Sequence, residues 1–529
     1  MVLFRAQFED VIMKQLQGLD AAFVALEQPN SPMHIGSILI YDPSTAPGGF
    51  VRFKDILSFI DSRLMLSDTM RQSMAQVPFN LDFPFWFNDK DFDLEYHIRH
   101  VALPSPGDWR QLCIQAARLF SRPLDLSKPP WEFTVIEGLD NVDGVPKGSY
   151  ALVTKIHHSA IDGMSGIDVL NATHTLDPNE PAPEGVDEFK PEARPNQFGL
   201  FVRGYFGGLL NPLRQLDVAR KSVPGMARAA QGLINRDFDL EAIWNTPSTR
   251  FNKRVSPHRV IDAVSFDIGD VKAMRGLSEG SKVNDVMLAI IGGGLRKYLE
   301  AKKELPETSL TAMAPISVRD ESEQNTMGNQ VAAMFVPLGS HIADPLERLK
   351  AVHQETVKSK AMSSALGARQ MTEVSKTMPA LYTGVAARLY SQLGIANMVK
   401  PIFNTVVTNV PGPPIPIYST GAELKKMFGL LCLFDGVGLG NVVQSYRDEI
   451  NVSFTACREC MPDPGFYADC LKESYGEYAD LLKSKSAVAK KAQNAKRTRS
   501  VSKADGAGAN GAVNGQAANL KKHNDQPRA

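Results

Sequence analysis

Two periods of apolar residues alternate along this chain, and each change of period marks an element. Tyr150-Ala151-Leu152-Val153-Thr154-Lys155-Ile156 has the β-branched and apolar content of a strand. It runs into His157-His158, so the histidines fall where a strand gives way to a turn. Ile167, Leu170 and Leu176 then recur at roughly helical spacing and predict a helix after Gly163. Beyond Val260 the pattern predicts strands over 260–266, 310–318, 330–336, 404–410, 442–446 and 450–456, and helices over 284–302, 345–361 and 465–482. Strands and helices mix in both halves, which predicts a mixed α/β (α+β) fold.

Two stretches interrupt the pattern. Pro178-Asn179-Glu180-Pro181-Ala182-Pro183 opens a turn-rich connector. It continues with Phe198, Leu200, Phe201, Tyr205, Phe206, Leu209 and Leu210 beside Arg203, Arg214, Arg220 and Lys221, a basic amphipathic stretch. It reads equally as a crossover packing its apolar face on the two domains and as a membrane contact, and the two are compatible. From about Ala487 the chain is rich in Ala, Gly, Asn, Lys and Arg and has no aromatic residue, so a disordered, solvated basic tail is expected. The expected division is 13–177, a connector over 178–259, 260–485, and a tail over 486–529.

Composition narrows the class. At 529 residues with 43% hydrophobic content, the chain can build substantial cores. Its 58 basic and 58 acidic residues balance, and nothing points to nucleic acid. No apolar run approaches the roughly 18 residues of a membrane-spanning helix. Cys113, Cys432, Cys457, Cys460 and Cys470 are odd in number and scattered, which suits a reducing cytoplasm. Cys457 and Cys460 have zinc-ribbon spacing without a second pair, so no metal is expected.

The richest chemistry lies in Lys155-Ile156-His157-His158-Ser159-Ala160-Ile161-Asp162-Gly163. Successive strand side chains face opposite ways, so if the extended geometry persists through the pair only one histidine can face a given cavity. Imidazole, with an ordinary pKa of about 6.5, suits a general base. A metal half-site, or two satisfied polar residues, are the alternatives. Asp162 could orient an imidazole or lock the loop by pairing with a basic residue, and Gly163 permits a tight turn before the helix.

His-His-x-x-x-Asp-Gly resembles the signature of the coenzyme-A-dependent acyltransferase superfamily. Leu19-Asp20-Ala21-Ala22-Phe23, Pro32-Met33-His34-Ile35-Gly36, Pro123-Leu124-Asp125, Pro130-Trp131-Glu132, Val283-Asn284-Asp285-Val286 and Asn409-Val410-Pro411-Gly412-Pro413 resemble, in order, the bacterial wax ester synthase/diacylglycerol acyltransferase pattern over about residues 13 to 485. Met13 occupies the place of that pattern's opening methionine, so 1–12 read as an upstream extension.

The resemblance implies two chloramphenicol acetyltransferase-like domains with the active site in a tunnel between them. It implies acyl-CoA as co-substrate, no permanently bound cofactor, and a long-chain alcohol or diacylglycerol as acceptor. His158 would be the base, attacking alcohol meeting thioester directly without an acyl-enzyme. His157 would support geometry, and Asp162 would be structural, held by an arginine for which Arg319 is a candidate. Asn284 would help stabilise the oxyanion or merely cap its helix. Pro130-Trp131-Glu132 is expected to be a corner with a buried Trp, and 409–413 a rigid loop. Substrates this apolar stay in lipid, so peripheral attachment to the inner membrane face or lipid droplets is expected. Two rivals share the motif: a condensation-type enzyme using an acyl carrier protein and an amine, and a non-catalytic lipid-surface protein.

Overall fold

The computed structural model describes residues 14–16, 18–161, 163–205, 246–317, 331–365 and 400–507. Residues up to Glu477 form one compact unit and those from Tyr478 a second. Within the first, the strands are β1 Lys14–Gln15, β2 His34–Asp42, β3 Gln72–Ala75, β4 Phe85–Asn88, β5 Ile98–Ala102, β6 Trp131–Leu139, β7 Ser149–His157 and β8 Arg259–Asp267. They continue with β9 Thr311–Ser317, β10 Val331–Pro337, β11 Thr405–Pro411, β12 Tyr418–Ser419, β13 Ala422–Leu430, β14 Leu439–Tyr446 and β15 Glu449–Cys457. The helices that position the site are α1 Gly18–Leu26, α2 Phe53–Arg63, α3 Trp109–Phe120, α4 Gly163–Thr173, α5 Val283–Ala301, α6 Pro345–Ala365 and α7 Pro464–Ala507.

Two six-stranded sheets carry the fold. One has the order β12-β13-β2-β7-β6-β5 and the other β10-β9-β11-β14-β15-β8. Every residue of β7 is buried, which is why its sequence reads as a continuous apolar run rather than an alternating one. Its one charge, Lys155, pairs with Glu132 of β6 at 3.0 Å, and Glu132 also pairs with Arg99 of β5 at 3.0 Å. Trp131 is the expected buried corner, its indole N–H donating to the Met70 carbonyl at 2.8 Å.

The segment Tyr418–Leu430, expected with the C-terminal half, instead runs in the first sheet, where β13 pairs antiparallel with β2. Its periodicity escaped notice because Lys425 and Lys426 are adjacent and a bulge falls between Leu424 and Lys426. The back of β13 is gripped by the second sheet: Asn451 Nδ2 donates to the Met427 carbonyl at 3.0 Å and Ser453 Oγ to the Gly429 carbonyl at 2.7 Å. Trp109 of α3 adds a third stitch, donating to Asp262 of β8 at 2.8 Å.

Three further expectations are corrected. The helix after the histidines ends at Thr173, leaving Leu176 exposed. Residues 409–411 are strand rather than loop; β11 pairs with β9 only at Thr405 and Val406, so Pro411 sits where its missing N–H costs no bond on that side. The last helix reaches Ala507, through part of the expected tail, because its Ala, Lys and Gln are strong helix formers. Residues 508–529, and the connector's Phe206, Leu209, Leu210, Arg214, Arg220 and Lys221, lie outside the described residues.

Three consecutive glycines interrupt the middle of α5. A Cβ at Gly292 would lie 2.0 Å from the Leu338 carbonyl oxygen, and one at Gly293 2.2 Å from the Arg348 guanidinium. The bare backbone lets fully buried Arg348 cross the helix closely. In an exposed helix Gly→Ala stabilises by about 1 kcal/mol; here Gly292→Ala should instead destabilise by about 1–3 kcal/mol through overpacking, read as a lower urea midpoint with unchanged slope.

Candidate active site

The site is built where β2, β6 and β7 end together. His34 lies opposite His157 in the β2–β7 register. The His157 N–H donates to the Pro130 carbonyl at 2.8 Å and the His158 N–H to the Met33 carbonyl at 2.8 Å, so the histidine, Pro-Met-His and Pro-Trp-Glu segments are knotted by backbone bonds. After His157 the chain turns through one 3₁₀ turn, His158–Ala160.

The turn makes the two imidazoles unlike. His157 is buried, and its Nδ1 accepts the Ser159 backbone N–H at 3.2 Å with Ser159 Oγ at 2.6 Å. With Nδ1 accepting, Nε2 is the donor nitrogen, and it faces a Glu27 carboxylate oxygen at 3.6 Å. Glu27 in turn accepts the Met33 N–H. His158 faces elsewhere, stacked on Phe23 of α1 with ring centroids 3.8 Å apart and planes at 11°. Burial draws its pKa down to about 4; contact with its own backbone carbonyl opposes this, and His157 adds to it.

His158 borders a cavity of about 430 Å³. Ile35, Gly36, Ser37, Leu39, Thr154 and Ile156 supply walls from β2 and β7, Thr408, Val410 to Pro413, Val442 and Gln444 from the second sheet and the turn after β11, and Met427 and Gly429 to Leu431 from β13 and its end. Val169, Leu170 and Thr173 of α4 close one side. At the far end His174 is held neutral by burial, its pKa near 4, with Nε2 2.8 Å from the Tyr41 hydroxyl. Buried Arg63 of α2 holds this end, donating to the Asn171 carbonyl at 2.9 Å and the His174 carbonyl at 3.3 Å. A second cavity of about 500 Å³ lies among Glu27, Met74, Pro123 to Ser127 and Arg194. Glu27 joins its wall to His157.

The structure brings His157 and His158 together as the sequence suggested. Asp162 and Arg319 lie outside the described residues, and Gly163 begins α4. Asn284 stands in the first turn of α5, where its Oδ1 accepts from Asn409 Nδ2 at 3.3 Å. It does not cap the helix; the Asp285 carboxylate does, accepting the Lys282 N–H at 2.9 Å. Asn284 thus reaches the strand whose next residues line the cavity. Glu27, Phe23 and Ser159 were not singled out individually, although an acid closing the apolar run Phe23-Val24-Ala25-Leu26 was a usable signal.

The profile described as the wax ester synthase/diacylglycerol acyltransferase catalytic domain matches residues 16–287. The chain belongs to the wax ester synthase/diacylglycerol acyltransferase family. The C-terminal-domain profile of the same family matches residues 327–479. This acyltransferase is 30% identical over 459 residues to the Acinetobacter baylyi O-acyltransferase WSD, covering 85% of this chain and 93% of the relative. A Mycobacterium tuberculosis chain provisionally named a diacylglycerol O-acyltransferase is 30% identical over 465 residues, covering 88% of this chain and 90% of the relative. Among solved structures, the wax ester synthase/diacylglycerol acyltransferase of Marinobacter aquaeolei aligns with TM-score 0.62 and 23% identity, over 89% of this chain and 100% of that one. A trichothecene 15-O-acetyltransferase from Fusarium sporotrichioides aligns with TM-score 0.53 and 10% identity, over 88% and 95%. The fold is therefore that of the two-domain acyltransferases, with mixed α/β halves.

The depressed histidines make acid destabilising. Unfolded imidazoles bind a proton near pH 6.5, whereas folded His158 and His174 do so only near 4, so between those values the unfolded state holds more protons. Stability should fall as pH drops from about 6.5 to 4 and the contribution should then level off. Denaturant melts across that range, with NMR titration of the His158 ring, test this; a ring titrating at 6.5 would refute the burial argument.

Proposed function

We propose that the protein transfers a long-chain acyl group from acyl-CoA to the hydroxyl of a long-chain alcohol or of diacylglycerol, with His158 as general base and no acyl-enzyme. The observation that carries this reading is a neutral imidazole set into the wall of an apolar cavity, backed by a second histidine whose tautomer is already fixed. As the alcohol oxygen bonds to the thioester carbon, its proton passes to His158; collapse of the tetrahedral intermediate expels the CoA thiolate, which takes that proton. A base with a pKa near 4 removes protons only from an oxygen already bonding, but its imidazolium is a strong acid for the departing thiolate.

His157 acts as a positioning residue, tied to Ser159 and directed at Glu27. Asp162 keeps a structural role with Arg319 as its candidate holder, and Asn284, beside Asn409, contributes an amide near the developing oxyanion. The 430 Å³ cavity, walled mostly by apolar side chains, takes an alkyl chain.

Each methylene favours an apolar setting by about 0.8 kcal/mol, so the acceptors remain in membranes or droplets. No described helix is long and apolar enough to cross a membrane. Phe79 and Phe198 are 79% and 70% exposed, and Phe79 stands 6.2 Å from Phe201 of the same amphipathic segment. This aromatic group, beside Arg203, supports peripheral docking at a lipid surface.

Free-CoA release from palmitoyl-CoA, with hexadecanol or dipalmitoylglycerol, tests the reading. His158→Ala should lose about a hundredfold or more in rate while staying folded and retaining vesicle binding. Alcohol-independent CoA release, or a fully active variant, would sink the mechanism.

A further inference from the structure

A third cleft, of about 260 Å³, shares no lining residue with the two cavities at the histidines. Arg110, Ile114 and Arg118 lie four apart on one face of α3 and form one wall. Opposite stands Arg259, paired with Cys457 in the β8–β15 register, and the next residue, Arg458, completes the rim. Four arginines thus line one opening.

Among the described residues none of the four forms an ion pair with a carboxylate. The nearby acids are engaged elsewhere: Asp108 accepts the Gln111 N–H, Asp262 the Trp109 indole, and Glu459 the Ser256 and Cys457 side chains. Arg259 is 3% exposed, yet its hydrogen bonds go to carbonyls, those of Asn30 at 2.7 Å and of Ser256. A cation buried so deeply ordinarily faces a counter-charge. Burial lowers its pKa, and the nearest relief is partial, from the Cys457 thiol, drawn down to about 6 chiefly by its contact with Cys460. Between the arginines the surface is apolar, with Ile114 37% exposed beside Val260, Ile261 and Pro462.

We propose that this cleft binds a phosphate ester, the phosphate held by Arg110, Arg118 and Arg458 over the charge of Arg259 and its organic part lying on Ile114. Guanidinium forks match phosphate oxygens in pairs, and Arg110, Arg118 and Arg458, in no ion pair among the described residues, are available to a phosphate. Two sources offer that chemistry, the nucleotide phosphates of CoA and the headgroup of an anionic phospholipid. Because the walls come from α3 and from β8 with the turn after β15, an occupant would also clip these elements together.

Equilibrium binding to the full chain tests the site without turnover, so failure of the acyl-transfer reading would not mimic its failure. The probes are CoA and vesicles of phosphatidylcholine with or without phosphatidic acid. The variants are Arg110→Ser/Arg118→Ser and Arg458→Ser, all at exposed positions, with retained fold checked by thermal melting. One probe should bind the wild type and lose about tenfold or more in both variants, with a shallower salt dependence, and that probe names the source. Wild type binding neither probe, or variants binding both unchanged, would overturn the proposal.

Discussion

The pairing of β13 with β2 is the constraint on which the rest of this structure depends. It completes one six-stranded sheet with a strand from late in the chain, and the other sheet holds that strand from behind through Asn451 and Ser453. The cavity beside His158 exists because of this arrangement, for Met427 and Gly429 to Leu431 form the wall between the two sheets. Gly429 allows the approach: a Cβ there would lie 2.6 Å from the Val442 side chain. Loss of register in this one strand would turn its lining residues away from the substrate.

Electrostatics around the histidines follow from the same close packing. Water is displaced from the ends of β2 and β7, so His34, His158 and His174 are all held neutral by burial. Lys155 keeps its charge in the same strand by pairing with Glu132, though burial pulls its pKa down. One region therefore contains a satisfied ion pair and, two and three residues along, two imidazoles with separate duties. What separates them is the 3₁₀ turn: Ser159 captures Nδ1 of His157, while Phe23 covers one face of His158.

Most strands of the second sheet were legible because their apolar residues are continuous or alternate cleanly, as in Val260 to Phe266 and Ile450 to Ala456. That the two histidines differ was expected from the two-residue period of a strand, but β7 ends at His157 and it is the 3₁₀ turn that sets His158 apart. β13 was hidden by its bulge and paired lysines, and the partners of His157 and His158 by distance: Phe23 of α1 and Glu27, just after its end, lie more than a hundred residues earlier. The arginine cleft had no linear signal at all, since Arg110 and Arg118 meet Arg259 and Arg458 only once α3 packs on β8. Spacing reveals faces of elements; it is silent about which faces meet.

The β13–β2 pairing also dictates when the molecule can become whole. Gly36 is hydrogen-bonded opposite Leu430, about 390 residues later. During synthesis β2 must wait with one edge bare, an apolar strand that offers its N–H and C=O groups to any neighbour. The span matching the family's catalytic-domain profile, 16–287, lacks the strand that closes its own sheet. A ribosome pausing before residue 430 would therefore hold an open sheet edge, and the long sequence separation of this pairing makes it a slow step of folding.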